Sequence, residues 1–472
     1  MGRCPAGSPG GGLARGGQKG GLKAAFEAAV VAEIEALVGP GAVEDWDFEA
    51  IETSTRRKVM RVAARAVEQR FNADTSDHIG PTAPCSCGQP ARYGGRHAKT
   101  FQSALGELRL ERAYYHCEAC GSGFCPRDRA LGLEGVSLSP AVSRMVGRVG
   151  AMVSFAEGSE LMQELAAVAV DPKQVERTAE ALGGEIAQDE RSVVEPEPPA
   201  SPTMYLGMDG TGVPMRTSEL EGREGKQPDG SAKTREVKLV SVWSAEGRDE
   251  EGIPVRDPGS VTYSAAIESA ASRDTDPEVS EFAKRAAREA ARRGFDQAPR
   301  RVVLGDGAVW IWNIADEQFP GAIQIVDLYH AKGHLWDVAK AIYGAGSDLA
   351  EQWAKQRRDE LDEGKIDDVL AALRVHAAAN DEARKCLDYV ARNQSRMRYP
   401  EFRAQGLCVS SGVVEAGCKV AIGTRLKRAG MHWTVTGADA IIALRCCKLS
   451  GRFEDFWERR SAAARAAARA AA

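Results

Sequence analysis

The residues best suited to chemistry in this chain are carboxylates beside short apolar runs. Residues 302–334, VVLGDGAVWIWNIADEQFPGAIQIVDLYHAKGH, read as two buried strands with a helix between them. Asp306 follows the first strand and Asp327 the second. Upstream, MYLGMDGTG sets Asp209 at the end of a third apolar run, and downstream SSGVVEAGCK sets Glu415 at the opening of a helix. Acidic groups gathered from neighbouring strand ends are hard oxygen ligands. They suit two Mg²⁺ (or Mn²⁺) ions about 3.5–4 Å apart, one near the attacking and one near the leaving oxygen of a phosphodiester. The expected chemistry is cutting and joining of nucleic acid. An Asp-Gly pair after a strand is also an ordinary turn signal, which Asp209-Gly210 and Asp306-Gly307 both fit. Two such pairs in one consistent topology weigh toward the functional reading, and glycine there would let a phosphate approach the backbone.

Asp327, His330 and His334 are spaced i, i+3, i+7 and share one helical face. That face could border the active site and position DNA or a ligand carboxylate. It could instead form a two-histidine, one-carboxylate metal site, or be a helix capped by Asp327 with its histidines in a polar interior. Cys85 and Cys87, then Cys117 and Cys120, form two close pairs separated by 29 residues. Paired thiolates on two knuckles suit tetrahedral Zn²⁺. The intervening FQSALGELRLERAYYHCE reads as a hairpin joining the knuckles, as in a zinc ribbon, with His116 and Cys125 as substitute ligands.

Residues 154–184 resemble a helix-turn-helix: a first helix ending near Val168, the turn AVDP, and a second helix from Pro172. Lys173, Gln174 and Arg177 would then face a major groove; a plain helical pair fits the same spacing. After Glu415, the run Thr424-Arg425-Leu426-Lys427-Arg428 with His432 and Trp433 offers cations for phosphates and a ring to stack on an unpaired base. The bland reading is a solvated helix end.

These elements divide 472 residues as follows. Residues 1–22 are a glycine-rich tail expected to be disordered, and 23–79 an N-terminal helical region whose second helix runs from Phe48 to Phe71. A zinc-ribbon-like segment spans 80–130, a helix-turn-helix-like DNA-binding region 135–190, and an acidic, proline-rich linker 191–202. Strands at 204–208, 237–243 and 261–267, a helix at 276–294, then strand, helix and strand give an α/β domain at 203–334 and 406–460. Its order is that of an RNase H-like catalytic domain, interrupted by a helical insertion at 335–405. Residues 461–472 are an Ala/Arg tail expected to fray.

Apolar content of 43% is enough for real cores, and no run approaches the length of a membrane span. With no secretory signal the expected location is cytoplasmic, nucleoid-associated in a bacterium, with no membrane partner. Eleven cysteines there suggest thiols and metal ligands before disulfides. Net charge is −5, unusual for a nucleic-acid binder, but Ser410–Arg460 holds nine Lys/Arg against five Asp/Glu. A local basic face decides DNA binding, not the average.

MYLGMDGTGVPMR, VVLGDGAVWIWNIADEQFPGAIQIVDLYHAKGHLW and SSGVVEAGCKVAIGTRLKRAGMHW resemble the three catalytic blocks of ISKra-type bacterial insertion-sequence transposases, within the wider DDE group. The resemblance covers roughly residues 80–450. It implies that Asp209, Asp306 and Glu415 form the DDE triad, with Asp209 bridging both ions, and that Asp327 and His330 belong to an acid-x-x-His element beside it. It also implies double-stranded DNA as partner, both element ends and target, and a homo-oligomer on DNA. Two other classes stay open. One is a zinc-containing DNA-binding protein, derived from a transposase, that no longer cuts. The other is a hydrolase using Asp327, His330 and His334.

Overall fold

The computed structural model describes residues 47–192, 201–225, 227–228, 230–270, 279–410 and 412–470, with scattered positions between 24 and 35. The glycine-rich start, most of the first helical pattern and the centre of the linker lie outside the described residues. The described chain forms two compact units: one of residues up to 146 with 156–175 and 459 onward, the other of 147–155 and 176–458.

The first unit begins with α1 (Phe48–Ala73), capped by the Asp47 carboxylate. Its apolar face (Ala64, Val67, Phe71) packs on Phe101, Leu108 and Leu110 of a long hairpin. That hairpin is β2 (Pro90–Ser103) and β3 (Gly106–His116), flanked by short β1 (Thr82–Pro84) and β4 (Gly123–Phe124) in the order β1-β2-β3-β4. The turn needs Gly106, whose φ of +112° an L side chain resists. Helix α2 (Pro126–Leu131) follows, then α3 (Pro140–Met152), α4 (Phe155–Ala166) and α5 (Pro172–Arg191).

The helix-turn-helix-like region, 135–190, is divided between the two units. In the second unit α5 lies against a late helix so closely that a Cβ on Gly183 would fall 2.0 Å from the Ala440 carbonyl oxygen. Only glycine allows that approach.

The second unit is a mixed α/β structure around a five-stranded sheet, and all five expected strands are present. The strands are β5 (Thr203–Pro214), β6 (Thr234–Ser244), β9 (Thr262–Ala266), β10 (Arg300–Gly305) and β11 (Ile323–Val326), with β7 (Gly247–Arg248) and β8 (Pro254–Val255) forming a separate ribbon. The sheet order is β11-β10-β5-β6-β9. β10 runs parallel to both β5 and β11, whereas β6 is antiparallel to β5 and β9. Helices α6 (Glu281–Arg292) and α7 (Val309–Gln318) join β9 to β10 and β10 to β11.

From α8 (Leu328–Tyr343) through α9 (Asp348–Asp362), α10 (Ile366–Ala377), α11 (Asp381–Asn393) and α12 (Tyr399–Ala404) the chain is helical. These helices share one continuous core with the sheet, through Leu361, Leu370, Cys386, Val390 and Tyr399. Then come α13 (Gly412–Gly417), a π-helical stretch (Cys418–Gly423), short α14 (Thr424–Leu426), α15 (Val435–Leu449) and α16 (Phe453–Ala470). The wide π turn disturbs the usual ladder of carbonyl partners. Buried Arg445 on α15 meets the need, donating to the Val420 carbonyl at 2.5 and 3.1 Å and to the Thr424 hydroxyl at 2.5 Å. The Ala/Arg stretch, expected to fray, continues α16 as helix to Ala470. No described helix is long and apolar enough to cross a membrane.

Candidate functional site

Pairing register sets the acidic residues side by side. Leu304 of β10 pairs with Gly207 of β5, and Gly305 pairs with Val326 of β11. Two residues past Gly207 and Leu304 come Asp209 and Asp306; one past Gly305 and Val326 come Asp306 and Asp327. Continued past its last pairs, the register would set Asp209, Asp306 and Asp327 level with one another at the ends of three neighbouring strands, which lie about 4.8 Å apart. Asp306 and Asp327 directly follow their strands, as expected. Asp209 does not end its strand: β5 runs on to Pro214, paired with β6 throughout. The antiparallel hairpin outruns the parallel part of the sheet, and Asp209 sits where the parallel part stops.

Each aspartate is tied down differently. Asp209 is half-buried and accepts from the Gly210 amide at 2.6 Å. Burial pushes its carboxyl above the usual aspartate range, against the Gly210 amide and the Cys418 thiol, while the nearby Asp306 charge adds to the rise. Asp306 accepts from the Ala308 amide at 2.8 Å. Asp327 is buried and caps α8 by accepting from the His330 amide at 2.5 Å.

Both glycines after the acids also have internal packing reasons. A Cβ on Gly210 would lie 2.3 Å from the Glu236 carboxylate. Gly307 has φ +101°, and a Cβ there would lie 2.3 Å from the Tyr389 ring.

His330 is exposed, and its ring stands edge-on to that of His334 at 4.8 Å. Burial, with the His330 charge acting the same way, holds the His334 imidazole below the usual histidine range. Asp327 is a helix cap, and these three do not form a metal-binding group among the described residues.

Glu415 lies on α13, which packs on the sheet through Val414 over Gly207 and Gly417 over Leu239 and Tyr263. Its side chain is exposed. It stands three residues before Cys418, whose thiol bonds Asp209. Among the described residues the three acids do not close into one group of ligand atoms.

The four cysteines do. The Sγ atoms of Cys85, Cys87, Cys117 and Cys120 all lie within 4.8 Å of one another. Cys85–Cys120 and Cys87–Cys117 are both 3.6 Å apart. Four sulfurs tetrahedrally placed about 2.3 Å from one Zn²⁺ would be about 3.8 Å from each other. The knuckles close through the Gly88 amide on the Cys85 carbonyl (3.0 Å) and the Gly121 amide on the Cys117 carbonyl (2.9 Å). The Ser122 hydroxyl and amide hold the Cys120 thiol down at about 6. The β2–β3 hairpin joins the knuckles as expected. Cys125 is the N-cap residue before α2, and neither it nor His116 belongs to the cluster.

Lys173 and Arg177 are exposed on α5, whereas Gln174 is half-buried and donates to the Ser137 hydroxyl at 2.8 Å. The helix before them ends at Ala166, two residues earlier than expected, because Val168 and Val170 turn into the core. After Glu415, Lys427, Arg428 and His432 are exposed, and Lys427 meets the Thr211 hydroxyl beside Asp209.

Arg425 and Trp433 correct the sequence reading. Arg425 is fully buried between the Phe155 and Trp433 rings, 4.7 and 5.2 Å from their centroids, and donates to the Gly150 carbonyl at 3.0 Å. Trp433 is buried and donates to the Leu426 carbonyl at 3.0 Å. Neither presents a surface to a phosphate or a base. Their stacking is internal.

No protein-family model matches the chain, and no curated protein matches it in sequence. Among solved structures it is similar to the Drosophila P element transposase strand transfer complex, at 10% identity, over 71% of this chain and 84% of that one, with a TM-score of 0.25. A likeness that shallow decides neither fold nor activity.

Proposed function

We propose that this chain is a DNA transposase of the DDE type with an RNase H-like catalytic domain. One observation supports the reading: the parallel pairing of Leu304 with Gly207 and of Gly305 with Val326 brings the chain segments that carry Asp209, Asp306 and Asp327 to the same end of a sheet ordered β11-β10-β5-β6-β9. The donors fit hard cations, being carboxylates close enough for the charge on Asp306 to raise the proton affinity of Asp209. Asp209 and Asp306 would hold two Mg²⁺ or Mn²⁺ ions, with Glu415 reaching in from α13. Bound there, the ions supply charge neutralisation and an activated attacking oxygen. Water attacks a phosphodiester at the element end and releases a 3′-hydroxyl, which then attacks a phosphodiester of target DNA. The protein's part is positioning. The parallel ladder ends just before the two aspartates; exposed His330 is an electrostatic neighbour of Asp209, and exposed Lys427 meets Thr211 two residues on.

Lys173, Arg177, Lys427, Arg428 and His432 offer exposed contacts for duplex DNA, acting as a homo-oligomer on paired ends. The four-cysteine cluster would hold a structural Zn²⁺. The test is Mg²⁺-dependent cleavage of a labelled element-end duplex, run beside Asp306→Asn. Cleavage by the unaltered chain alone supports the reading. Equal cleavage by both removes Asp306 from the site. Tight binding without cleavage by either supports instead a zinc-containing DNA-binding protein that does not cut.

A further inference from the structure

Tyr389 is a residue that no sequence motif singled out. It lies on α11, in the helical stretch after the sheet, 83 residues from Asp306. Its hydroxyl donates to the Asp306 main-chain carbonyl at 2.8 Å. Its ring fills the space a side chain at position 307 would need, with Gly307 held at φ +101°. The other side of the ring meets His334, centroid to centroid at 4.5 Å, and His334 in turn meets His330. The helix is itself anchored, because Cys386 and Val390 on either side of Tyr389 are buried in the sheet's core.

We infer that Tyr389 is a positioning residue for Asp306. It locks the turn that aims the carboxylate, and it places the helical stretch in the wall of the acidic site. The inference rests on the proposed metal-binding role of Asp306. The carboxylate itself is tied by the Ala308 amide at 2.8 Å, so the Tyr389 hydroxyl and that amide together fix the turn and the side chain it carries. Removing the hydroxyl frees the turn without removing the ring that packs against Gly307 and His334. Partners that orient a metal ligand typically matter about tenfold or more in metal affinity.

The test is Mn²⁺ binding by the full chain, followed by electron paramagnetic resonance of the free ion, for the unaltered protein, Tyr389→Phe and Asp306→Asn. Thermal unfolding is measured alongside. The expected result is binding by the unaltered chain, loss in Asp306→Asn, and about tenfold weaker binding in Tyr389→Phe at an unchanged melting temperature. Wild-type Mn²⁺ affinity in Tyr389→Phe, with binding lost in Asp306→Asn, overturns the inference and leaves the proposed site standing. Undiminished binding in Asp306→Asn, or none by the unaltered chain, overturns both.

Discussion

Gly207 gives the sharpest test of how the site is assembled. It lies two residues before Asp209 on the same face of β5, beneath the helix that carries Glu415. A Cβ there would fall 2.0 Å from Val414 Cγ2 and 3.1 Å from the Trp243 ring. Carbon atoms in contact settle at about 3.5–4.0 Å, so the shortfall against Val414 is roughly 1.5–2 Å. Val414 and Trp243 are each 1% exposed, so neither can swing into solvent. Gly207→Ala must therefore lift α13 from the sheet or strain its packing, at a cost of about 1–3 kcal/mol. Val414→Ala removes two methyl groups and costs about 1.6 kcal/mol in transfer, plus the cavity left behind. In the double variant the new methyl enters the space the old ones left, so the losses should fall short of additive by about 1–2 kcal/mol. The assay is a double-mutant cycle from urea unfolding. Mn²⁺ binding by the four proteins is read in parallel, since Gly207→Ala displaces Glu415 and the double variant restores it. Additivity within about 0.5 kcal/mol would refute the packing argument.

Other consequences are equally direct. Purified chain should hold one zinc per molecule by atomic emission, and Cys117→Ser should lose it together with stability of the 81–125 segment; release of zinc should ease as pH falls, because the ligands are thiolates. At Glu268, burial alone would raise the carboxyl, but two hydrogen bonds from Arg285 (2.7 and 2.8 Å) outweigh it and hold the group below its ordinary 4.5. A depressed carboxylate adds stability above pH 4.5 and loses it as pH falls through the folded value, so Glu268→Gln should flatten the acid limb of a stability profile below that point. Arg425→Met should cost about 2–3 kcal/mol through lost ring stacking and a lost hydrogen bond, and leave the salt dependence of DNA binding unchanged. Lys427→Ala should do the reverse, lowering the slope of log affinity against log salt by about one.

The sheet was legible in the sequence because its strands are short apolar runs bounded by glycine, proline and charge. The strand-end places of Asp306 and Asp327 followed from those runs, whereas Asp209 lies inside a strand that runs on to Pro214. The thiol cluster was legible from spacing alone, since two close pairs across a hairpin admit few arrangements. The basic run after Glu415 was not, because composition does not say which side chains point inward. Arg425 and Leu426 turn into the core while Lys427 and Arg428 face out. The packing reasons for the two glycines were not legible for a related reason: what each makes room for, Glu236 and Tyr389, lies 26 and 82 residues further along the chain. Tyr389 itself had no local signal, being one residue of an amphipathic helix.

The acidic edge cannot exist before much of the second unit has folded. Asp209 is met by Cys418, Asp306 by Tyr389, and the turn at Asp327 by a bond from the Leu328 amide to the Val409 carbonyl at 2.9 Å. Each buttress comes from a different segment, more than 80 residues away in sequence. Contacts of such separation form late, because loop closure must be met before they contribute. The helical stretch between β11 and α13 is therefore structural to the site as well as adjacent to it: it shares the sheet's core and supplies one of the three buttresses. Loosening that core at Cys386 or Val390, far from any carboxylate, would reach the site through Tyr389 before it reached the strands.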